Sequence, residues 1–405
     1  MQRALWFVFF LMVVPGLISG CTPSPSPDTL TLTMSLSEQE WRVFREKVFP
    51  PFERMHGITI NAYQVESGQL ATKLEALQSA GIAGVDLFAQ DNMNLAVLIN
   101  KGLVADLSAR RTAIPETVLD SLIQSCTFNG QLFFLPFRPN VQIIYYNTDA
   151  FGRYGLTPPR TWEQLLETAR VFKEKEGEGR VLLKGFGSNP TATQVYEFVL
   201  QAGGDPYAFD DEGCVKAFTF LQELMPYASA ESRRAKWDTT NEILARQQAY
   251  LAQNWPFGIV VLLREYGLDF IGVYSGWKGP AGERHVIGGD VFGIPANAPH
   301  KDLALAFIAY VHSRRVQELL VAELGWPSLR SDAYARVPRW QQPHYAAVTE
   351  ALKHGVFRKN VLWWPAYAKH LGGAFREIVM EGAPVEETLK KYKAKLEREK
   401  ARYEK

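Results

Sequence analysis

Segments in which polar and apolar residues alternate recur along the chain after residue 28, and segments with helical periodicity separate them. The alternating segments TLTLTMSL (29–36) and ITINAYQV (58–65) predict strands with one buried face. Between them, apolar positions recur at helical spacing behind Ser37, which predicts a helix capped by that serine. GQLATKLEALQSAG (68–81) predicts another helix, and GVDLFAQ (84–90) another strand. Strands that alternate with helices predict an α/β fold built on mainly parallel sheets flanked by helices.

The same alternation returns in the second half of the chain. Strands are predicted over QQAYLAQNW (247–255) and HVIGGDVFGIPA (285–296). Helices are predicted over TWEQLLETARVFKEKEG (161–177), ATQVYEFVLQAGG (192–204), CVKAFTFLQELMPYA (214–228), HKDLALAFIAYVHS (300–313) and VEETLKKYKAKLEREKARYEK (385–405). A chain of 405 residues is long enough for two such domains.

The N-terminal residues have the pattern of a secretory signal. Arg3 precedes an apolar run from Ala4 to Val14, and small residues follow. The run is shorter than the roughly 20 residues of a membrane span, so residues 1–20 predict a cleaved signal peptide. The segment Ile18-Ser19-Gly20-Cys21 resembles the bacterial lipobox, which predicts that Cys21 is lipidated and becomes the first mature residue. Residues 21–28 are then a Pro/Ser linker, and the protein is extracytoplasmic and anchored to the outer face of the cytoplasmic membrane, in the periplasm or at the cell surface.

Charge and motifs exclude several classes of function. With 44 basic and 43 acidic residues the chain is nearly neutral, so no nucleic-acid partner is predicted. None of the G-x-S-x-G, H-E-x-x-H, P-loop and G-x-G-x-x-G motifs occurs, and the histidines are scattered singly. We therefore predict no catalytic residue, no metal, no cofactor and no enzymatic activity. A pair of carboxylates assembled from distant positions stays possible, because sequence does not give their separation.

Two further cysteines, Cys126 and Cys214, remain once Cys21 is assigned to the lipid. An extracytoplasmic compartment permits a disulfide between them, and sequence does not show whether they are close enough. Two buried thiols are the favoured interpretation.

Several tryptophans stand beside prolines. Trp255, Trp326 and the pair Trp363 and Trp364 lie in AQNWPFG, LGWPSLR and NVLWWPAY. A ring held beside a stiff residue gives a flat apolar surface, which suits the C–H face of a sugar. Core packing is the alternative role for each ring.

In its order of segments, the mature chain resembles the carbohydrate-binding extracellular solute-binding proteins of ABC importers, family 1, which include maltose- and trehalose-binding proteins. The resemblance rests on LTLTMSLSEQEW, VDLFAQDNMNLAVLINKGLVADLS, FNGQLFFLPFRPNVQIIYYNTDAFGRYGLTPPRTWEQLLETA, YEFVLQAGG, QNWPFG, VIGGDVFGIPANAPHKDLALAFIAYVHS, LGWPSLRSDAY and FREIVMEGAPVEETL. It implies two lobes that close on a ligand in the cleft between them. The N-lobe is predicted over 29–138 and 292–338 and the C-lobe over 139–291 and 339–405. The chain is predicted to cross the hinge three times, near Pro139, Asp290 and Pro338.

The resemblance also implies a function and a set of ligand contacts. The protein would be a monomeric substrate-binding lipoprotein that captures a di- or oligosaccharide and delivers it to the transmembrane subunits of a permease. The implied ligand-binding residues are Glu38, Trp41, Asp91, Asn92, Asn140, Asn189, Thr191, Trp255, Gly289, Asp290, Trp326, Trp364 and Tyr367, with Ser37, Arg138 and Gly288 beside them. Among these, Asp91 is the best polar candidate, because a carboxylate accepts hydrogen bonds from two sugar hydroxyls; its alternative role is to cap the helix from Met93.

Other functions stay open at the level of the sequence. A receptor of the same fold for a polyamine, a phosphate ester or a ferric complex is the first alternative. An envelope glycoside hydrolase is the second, and a sensor subunit that signals instead of feeding transport is the third.

Overall fold

The computed structural model describes residues 28–66, 68–334 and 337–403. The predicted signal peptide, the lipidated Cys21 and the linker up to residue 27 lie outside these ranges. Within them, none of the helices combines the length and the apolar character that a bilayer crossing requires.

Strands and helices alternate along the described chain. The strands are β1 (Thr29–Met34), β2 (Thr59–Gln64), β3 (Leu87–Asp91), β4 (Thr127–Phe128), β5 (Gln131–Leu132), β6 (Phe134–Val141), β7 (Ile143–Asn147), β8 (Val181–Leu182), β9 (Leu251–Asn254), β10 (Ile271–Tyr274), β11 (Lys278–Gly279), β12 (Gly282–Glu283), β13 (His285–Gly293) and β14 (Gly355–Phe357). The α-helices are α1 (Glu38–Val43), α2 (Phe49–His56), α3 (Leu70–Ser79), α4 (Leu95–Asn100), α5 (Asp120–Ser125), α6 (Thr148–Arg153), α7 (Trp162–Glu176), α8 (Ser188–Gln201), α9 (Glu212–Leu224), α10 (Trp237–Ala245), α11 (Phe257–Ile259), α12 (Lys301–Val311), α13 (Arg314–Leu324), α14 (Gln342–Lys353), α15 (Trp364–Phe375) and α16 (Val385–Lys400). Phe44–Val48, Val260–Glu265 and Arg376–Met380 are π-helical turns.

The first sheet has the order β14-β13-β3-β1-β2, and β6 also pairs with β13. β1 is parallel to β2 and β3, whereas β13 is antiparallel to both β3 and β6. In this register Asp290 of β13 lies opposite Asp91 of β3 on one side and opposite Arg138 of β6 on the other. Side chains that lie directly opposite each other in a sheet are neighbours, so the register gathers these three charged groups.

The second sheet has the order β10-β7-β9-β8, and its pairing differs from the mainly parallel sheet that the sequence predicts. Only β8 and β9 are parallel; β7 is antiparallel to both β9 and β10. β7 follows β6 directly through Gln142, with no helix between the two strands. No βαβ unit therefore fixes the direction of β7.

Each sheet is covered by its own helices, which gives the predicted two-lobe α/β fold. One core combines strands β1 and β3 with residues of α2, α12 and α13, and another combines residues of α7, α8, α9, α15 and α16. The chain moves from the first sheet to the second between β6 and β7 and returns at β13. The lobe boundaries and the three hinge positions stay predictions.

Cys126 and Cys214 are separate buried thiols, in the first and the second core respectively. Burial raises the pKa of the Cys126 thiol to about 12 and raises that of Cys214 as well, so both stay protonated and unreactive. The structure therefore has the two buried thiols that the sequence analysis favours.

Candidate functional site

A cleft of about 450 Å³ is lined by residues of both lobes. The first lobe contributes the ends of β1, β3 and β6 and the middle of β13, and the second contributes residues next to β9 and at the start of α10. Its lining residues are Ser35, Leu36, Ser37, Glu40, Gln64, Glu66, Asp91, Arg138, Pro139, Asn140, Trp237, Asp238, Trp255, Phe257, Gly289, Asp290, Trp326, Pro327 and Arg358.

An arginine held by two carboxylates forms one side of the cleft. Arg138 donates from Nε to Asp290 Oδ2 at 2.7 Å and from Nη1 to Glu40 Oε1 at 2.6 Å. Its guanidinium also lies over the ring of Trp326, 4.7 Å from the ring centre, and Trp326 Nε1 donates to the same Glu40 oxygen at 2.9 Å. Burial alone would lower the pKa of Arg138, but the two carboxylates outweigh it and raise the pKa, so the guanidinium stays charged and paired.

The carboxyl group of Asp290 titrates closer to neutrality than an ordinary aspartate. Burial raises its pKa from 3.8 to about 6, in spite of the opposing effect of Arg138, and the neighbouring charge of Asp91 adds to the rise. The Arg138 ion pair is therefore what keeps Asp290 ionised in the folded protein at neutral pH.

Aromatic side chains form another wall. Trp255 follows β9, is 7% exposed, and meets Trp237 edge to face with ring centres 6.1 Å apart. The backbone carbonyl of Trp255 accepts a hydrogen bond from the Tyr145 hydroxyl at 2.8 Å, which fixes the strand end that carries the ring. Gly288 of β13 lies against the ring of Trp255, and the wall is therefore held by both lobes.

Three buried polar atoms of cleft residues have no hydrogen-bond partner among the described residues. They are Oδ1 of Asn140, Nε1 of Trp237 and Nε of Arg358. Buried polar atoms in native proteins are almost always paired, so an unpaired one calls for an explanation. One acceptor and two donors without partners thus belong to residues that line one cleft.

Asp91 does not cap the helix that follows it, because α4 begins at Leu95 with Asn94 as its N-cap residue, and its contact with a ligand stays a prediction. It lines the cleft, and its Oδ1 accepts a hydrogen bond from the Met93 backbone N–H at 2.8 Å. Among the described residues no hydrogen bond reaches its other carboxylate oxygen, which leaves that oxygen for a ligand hydroxyl.

Of the residues predicted to bind ligand, six line this cleft: Asp91, Asn140, Trp255, Gly289, Asp290 and Trp326. Ser37 and Arg138 line it too, while Gly288 lies behind Trp255. Gly289 has φ of +115°, a conformation that favours glycine, and an added Cβ would collide with the Arg138 carbonyl. That each of these residues contacts a ligand stays a prediction.

The structure places the other predicted residues away from the cleft surface. Trp41 is buried in the first core and donates to Gln64 Oε1 at 2.7 Å; Tyr367 is buried in the second and donates to the Pro206 carbonyl. Both rings pack in the cores of the lobes. Core packing is the alternative to ligand binding for any tryptophan or tyrosine. Glu38 faces a neighbouring groove with Arg42 and Lys47.

The remaining predicted residues are also absent from the lining of the cleft. Asn92 is buried and its N–H donates to the Gly289 carbonyl at 3.0 Å. Asn189 accepts a hydrogen bond from Nε1 of the buried Trp364, and Thr191 lines a separate outer pocket. Trp364 thus supports the cleft from below, because Arg358 lies over its ring at 5.1 Å.

Sequence reasoning missed Glu40, Trp237 and Arg358. Glu40 had a signal: it stands three residues after Ser37, and the two residues form a capping box. The box directs Glu40 Oε2 to the Ser37 N–H and leaves Oε1 for Arg138 and Trp326. Trp237 and Arg358 have no comparable local signal.

We expect the Gly288→Ala substitution to displace the Trp255 ring. A Cβ at position 288 would lie 2.7 Å from Cη2 of Trp255, and overpacking of this kind costs about 1–3 kcal/mol. The melting temperature should fall, and the tryptophan fluorescence should change. Gly152→Ala in α6 is the control, since an added Cβ there meets nothing within 4 Å and alanine is the better helix former. A Gly288→Ala protein with wild-type melting and fluorescence would contradict this packing.

The family of the chain follows from its sequence match. Residues 47–347 match the model of the bacterial extracellular solute-binding proteins, which is more than half of the chain. The chain belongs to this family. The match confirms the solute-binding family that the order of segments indicated. It also implies an extracytoplasmic location.

Among curated relatives of this solute-binding protein is a probable ABC transporter-binding protein of Deinococcus radiodurans, 23% identical over 222 residues. The alignment covers 49% of the chain and 51% of that protein. The chain spans about half the length of the curated relatives that it matches.

Solved structures share the fold over nearly their whole length. The maltose-bound MalE3 of T. maritima has a TM-score of 0.81 at 19% identity, covering 91% of the chain and 99% of that protein. UgpB of Mycobacterium tuberculosis in complex with glycerophosphocholine has a TM-score of 0.80 at 18% identity, covering 94% and 99%. At these identities the likeness establishes the two-lobe periplasmic-binding-protein-like fold.

Proposed function

We propose that this protein is the substrate-binding lipoprotein of an ABC importer, that it captures a sugar in the interlobe cleft, and that it delivers the sugar to a membrane permease. The observation that carries the proposal is the combination, in one cleft, of tryptophan rings with unpaired buried polar atoms. A sugar has apolar C–H faces for the rings and a rim of hydroxyls for the polar atoms.

The arrangement of the cleft between two lobes supports a capture mechanism. Trp237 and Trp255 approach from the side of the second lobe, whereas Asp91, Asn140 and Arg138 approach from the first sheet. A ligand that touches both sets stabilises the closed state over the open one, because some of its contacts exist only on closure. A permease can then distinguish loaded from empty protein.

The relatives support the transport role. The Deinococcus protein is described as an ABC transporter-binding protein, and MalE3 was solved with maltose. The UgpB ligand contains a phosphodiester, so ligands other than neutral sugars are compatible with this fold.

We infer that the protein carries out no chemistry on its ligand. The carboxylates of Glu40 and Asp290 both pair with Arg138, so neither is free to act as a general acid or nucleophile. Glu66, Asp91 and Asp238 also line the cleft, and recovery of the intact sugar is the measurement that decides against the hydrolase alternative.

The lipid anchor at Cys21, the linker of residues 21–28 and a monomeric state complete the proposal. A receptor that is held on the membrane beside its permease benefits from a high effective concentration. Mass spectrometry of the mature N-terminus tests the anchor, and an unmodified residue 21 would refute it.

A thermal-shift screen of the mature protein without its anchor tests the sugar proposal. Mono-, di- and oligosaccharides are added at equal concentration, and at least one is expected to raise the melting temperature by several degrees, because a ligand at about 100 times its Kd adds about 2.7 kcal/mol of stability. Chromatography of the same samples should return the sugar intact. No shift with any saccharide, or hydrolysis products in the samples, would count against the proposal.

A further inference from the structure

Arg358 is a buried cation that makes no ion pair within the described part of the chain. It follows β14, lines the cleft, and is 7% exposed. Its Nη1 donates to Thr193 Oγ1 at 2.8 Å and its Nη2 to Asn92 Oδ1 at 3.5 Å, and both acceptors are neutral. Its Nε has no partner among the described residues.

Arg138, in the same cleft, has the carboxylate partners that Arg358 does not have among the described residues. Arg138 makes ion pairs with Asp290 and Glu40, whereas no carboxylate of the described residues forms an ion pair with Arg358. Asp91 acts on Arg358 only electrostatically, and burial outweighs this effect and lowers the pKa of the guanidinium. The face of Trp364 attracts the cation from below but does not neutralise it.

A lone buried charge is unfavourable for folding. Neutral hydrogen-bond partners do not replace the hydration that a charge loses on burial, and buried charges in native proteins are normally paired. A guanidinium has five N–H donors, and Thr193 and Asn92 take two of them here. The unused donors include Nε, whose position beside Nη allows the parallel, two-bond contact that carboxylates and phosphates accept.

We propose that Arg358 is a subsite for an oxyanion, so that the ligand is a saccharide or polyol carrying one carboxylate or phosphate group. This inference rests on the proposed function and narrows its ligand class. The oxyanion pairs with Arg358. The hydroxyls of the same ligand donate hydrogen bonds to Asn140 Oδ1 and to the second carboxylate oxygen of Asp91, beside the rings of Trp255 and Trp237.

The charge of the cleft limits the number of anionic groups. Five carboxylates line it, from Glu40, Glu66, Asp91, Asp238 and Asp290, against two arginines. Arg138 is already paired with two of these carboxylates, so Arg358 alone is left for an added anion. A polyanionic chain would meet repulsion from the other three acids, and the ligand therefore carries a single oxyanion at one end.

Matched probes test the proposal by calorimetry and thermal shift. One set pairs neutral saccharides with uronates that differ only by oxidation of the C6 hydroxymethyl group to a carboxylate, from methyl glycosides to disaccharides. Another pairs glycerol with glycerol phosphate, which distinguishes a phosphate from a carboxylate as the source of the oxyanion. At constant ionic strength, the wild-type protein is expected to bind the anionic member of at least one pair about tenfold or more tightly than the neutral one.

Variants assign the preference to Arg358. Arg358→Met should abolish the preference for the anionic member, and Arg358→Lys should keep part of it, because lysine retains the charge without the two-bond geometry. Arg376→Met is the control for anions bound elsewhere, since Arg376 lines the outer pocket of the second lobe with Lys369 and Lys395. It should bind all probes like the wild type.

The outcomes separate this inference from the proposed function. Without ligand, Arg358→Met should melt no lower than the wild type, since it removes an uncompensated buried charge. Neutral sugars that bind while no anionic probe is preferred, or an Arg358→Met protein that keeps the preference, would overturn the oxyanion subsite and leave sugar capture standing. No binding of either class would overturn both.

Discussion

Replacing Trp255 by alanine is expected to raise the Kd for the captured ligand by about tenfold or more, which corresponds to about 1.4 kcal/mol. The ring is a large apolar surface in the cleft, held between Gly288 and Trp237, and its removal takes away both buried area and ring-specific attraction. Calorimetry with any ligand found in the thermal-shift screen measures the effect.

Alanine at position 255 also leaves a cavity, so loss of stability has to be separated from loss of binding. Trp162→Ala is the matched control, because Trp162 is a buried ring of the same lobe that stacks on Phe220, with ring centres 4.5 Å apart, away from the cleft. Both variants should lose about 3–5 kcal/mol of unfolding free energy, and only Trp255→Ala should lose affinity. If the two folded variants bind the ligand with equal affinity, Trp255 serves only to pack the structure and does not contact the ligand.

Replacing Arg138 by methionine is expected to lower the free energy of unfolding by about 3 kcal/mol or more at neutral pH. The substitution leaves the buried carboxylates of Glu40 and Asp290 without their cation, next to Asp91. Denaturant unfolding measures the loss. Arg170→Met is the control, since its ion pair with Glu223 is solvent-exposed and worth at most about 1 kcal/mol.

The deficit of Arg138→Met should depend on pH. Burial raises the pKa of Asp290 above its unfolded value of 3.8, to about 6, so the folded state binds the proton more tightly and Asp290 contributes stability at acid pH that is lost as the pH rises through about 6. Without Arg138 its pKa rises further, because the one group that lowers it strongly is gone. The deficit should therefore be small near pH 4 and largest near pH 8. A deficit that stays the same over this range would show that lost packing, not uncompensated charge, causes it.

Local sequence patterns were sufficient for several elements of the fold. Alternation placed β1, β2 and β13, helical periodicity placed α3, α7 and α16, and Ser37 caps α1 as predicted. These features depend on residues a few positions apart, which periodicity and capping describe well. The direction of β7 was not accessible in this way, because it depends on how one sheet continues into the other.

The same division applies to the cleft. Residues that follow a strand or precede a proline, such as Asp91, Trp255 and Trp326, were identified from their neighbours and line the cleft. Trp364, which also precedes a proline, and Tyr367 were predicted to bind ligand as well, but their helix α15 turns both rings into the core that it shares with α8 and α16. Which face of a helix is buried depends on its packing partners, and the local sequence does not specify them.

The sequence by itself determined the family, the alternating elements and the strand ends that carry ligand candidates. Only the tertiary structure placed Arg358 beside Asn92, which is 266 residues away, and left its Nε without a partner among the described residues. The physical reason is that periodicity and turn chemistry act between neighbours in the chain, whereas the pairing of a buried charge depends on which distant segments the packed lobes bring to it.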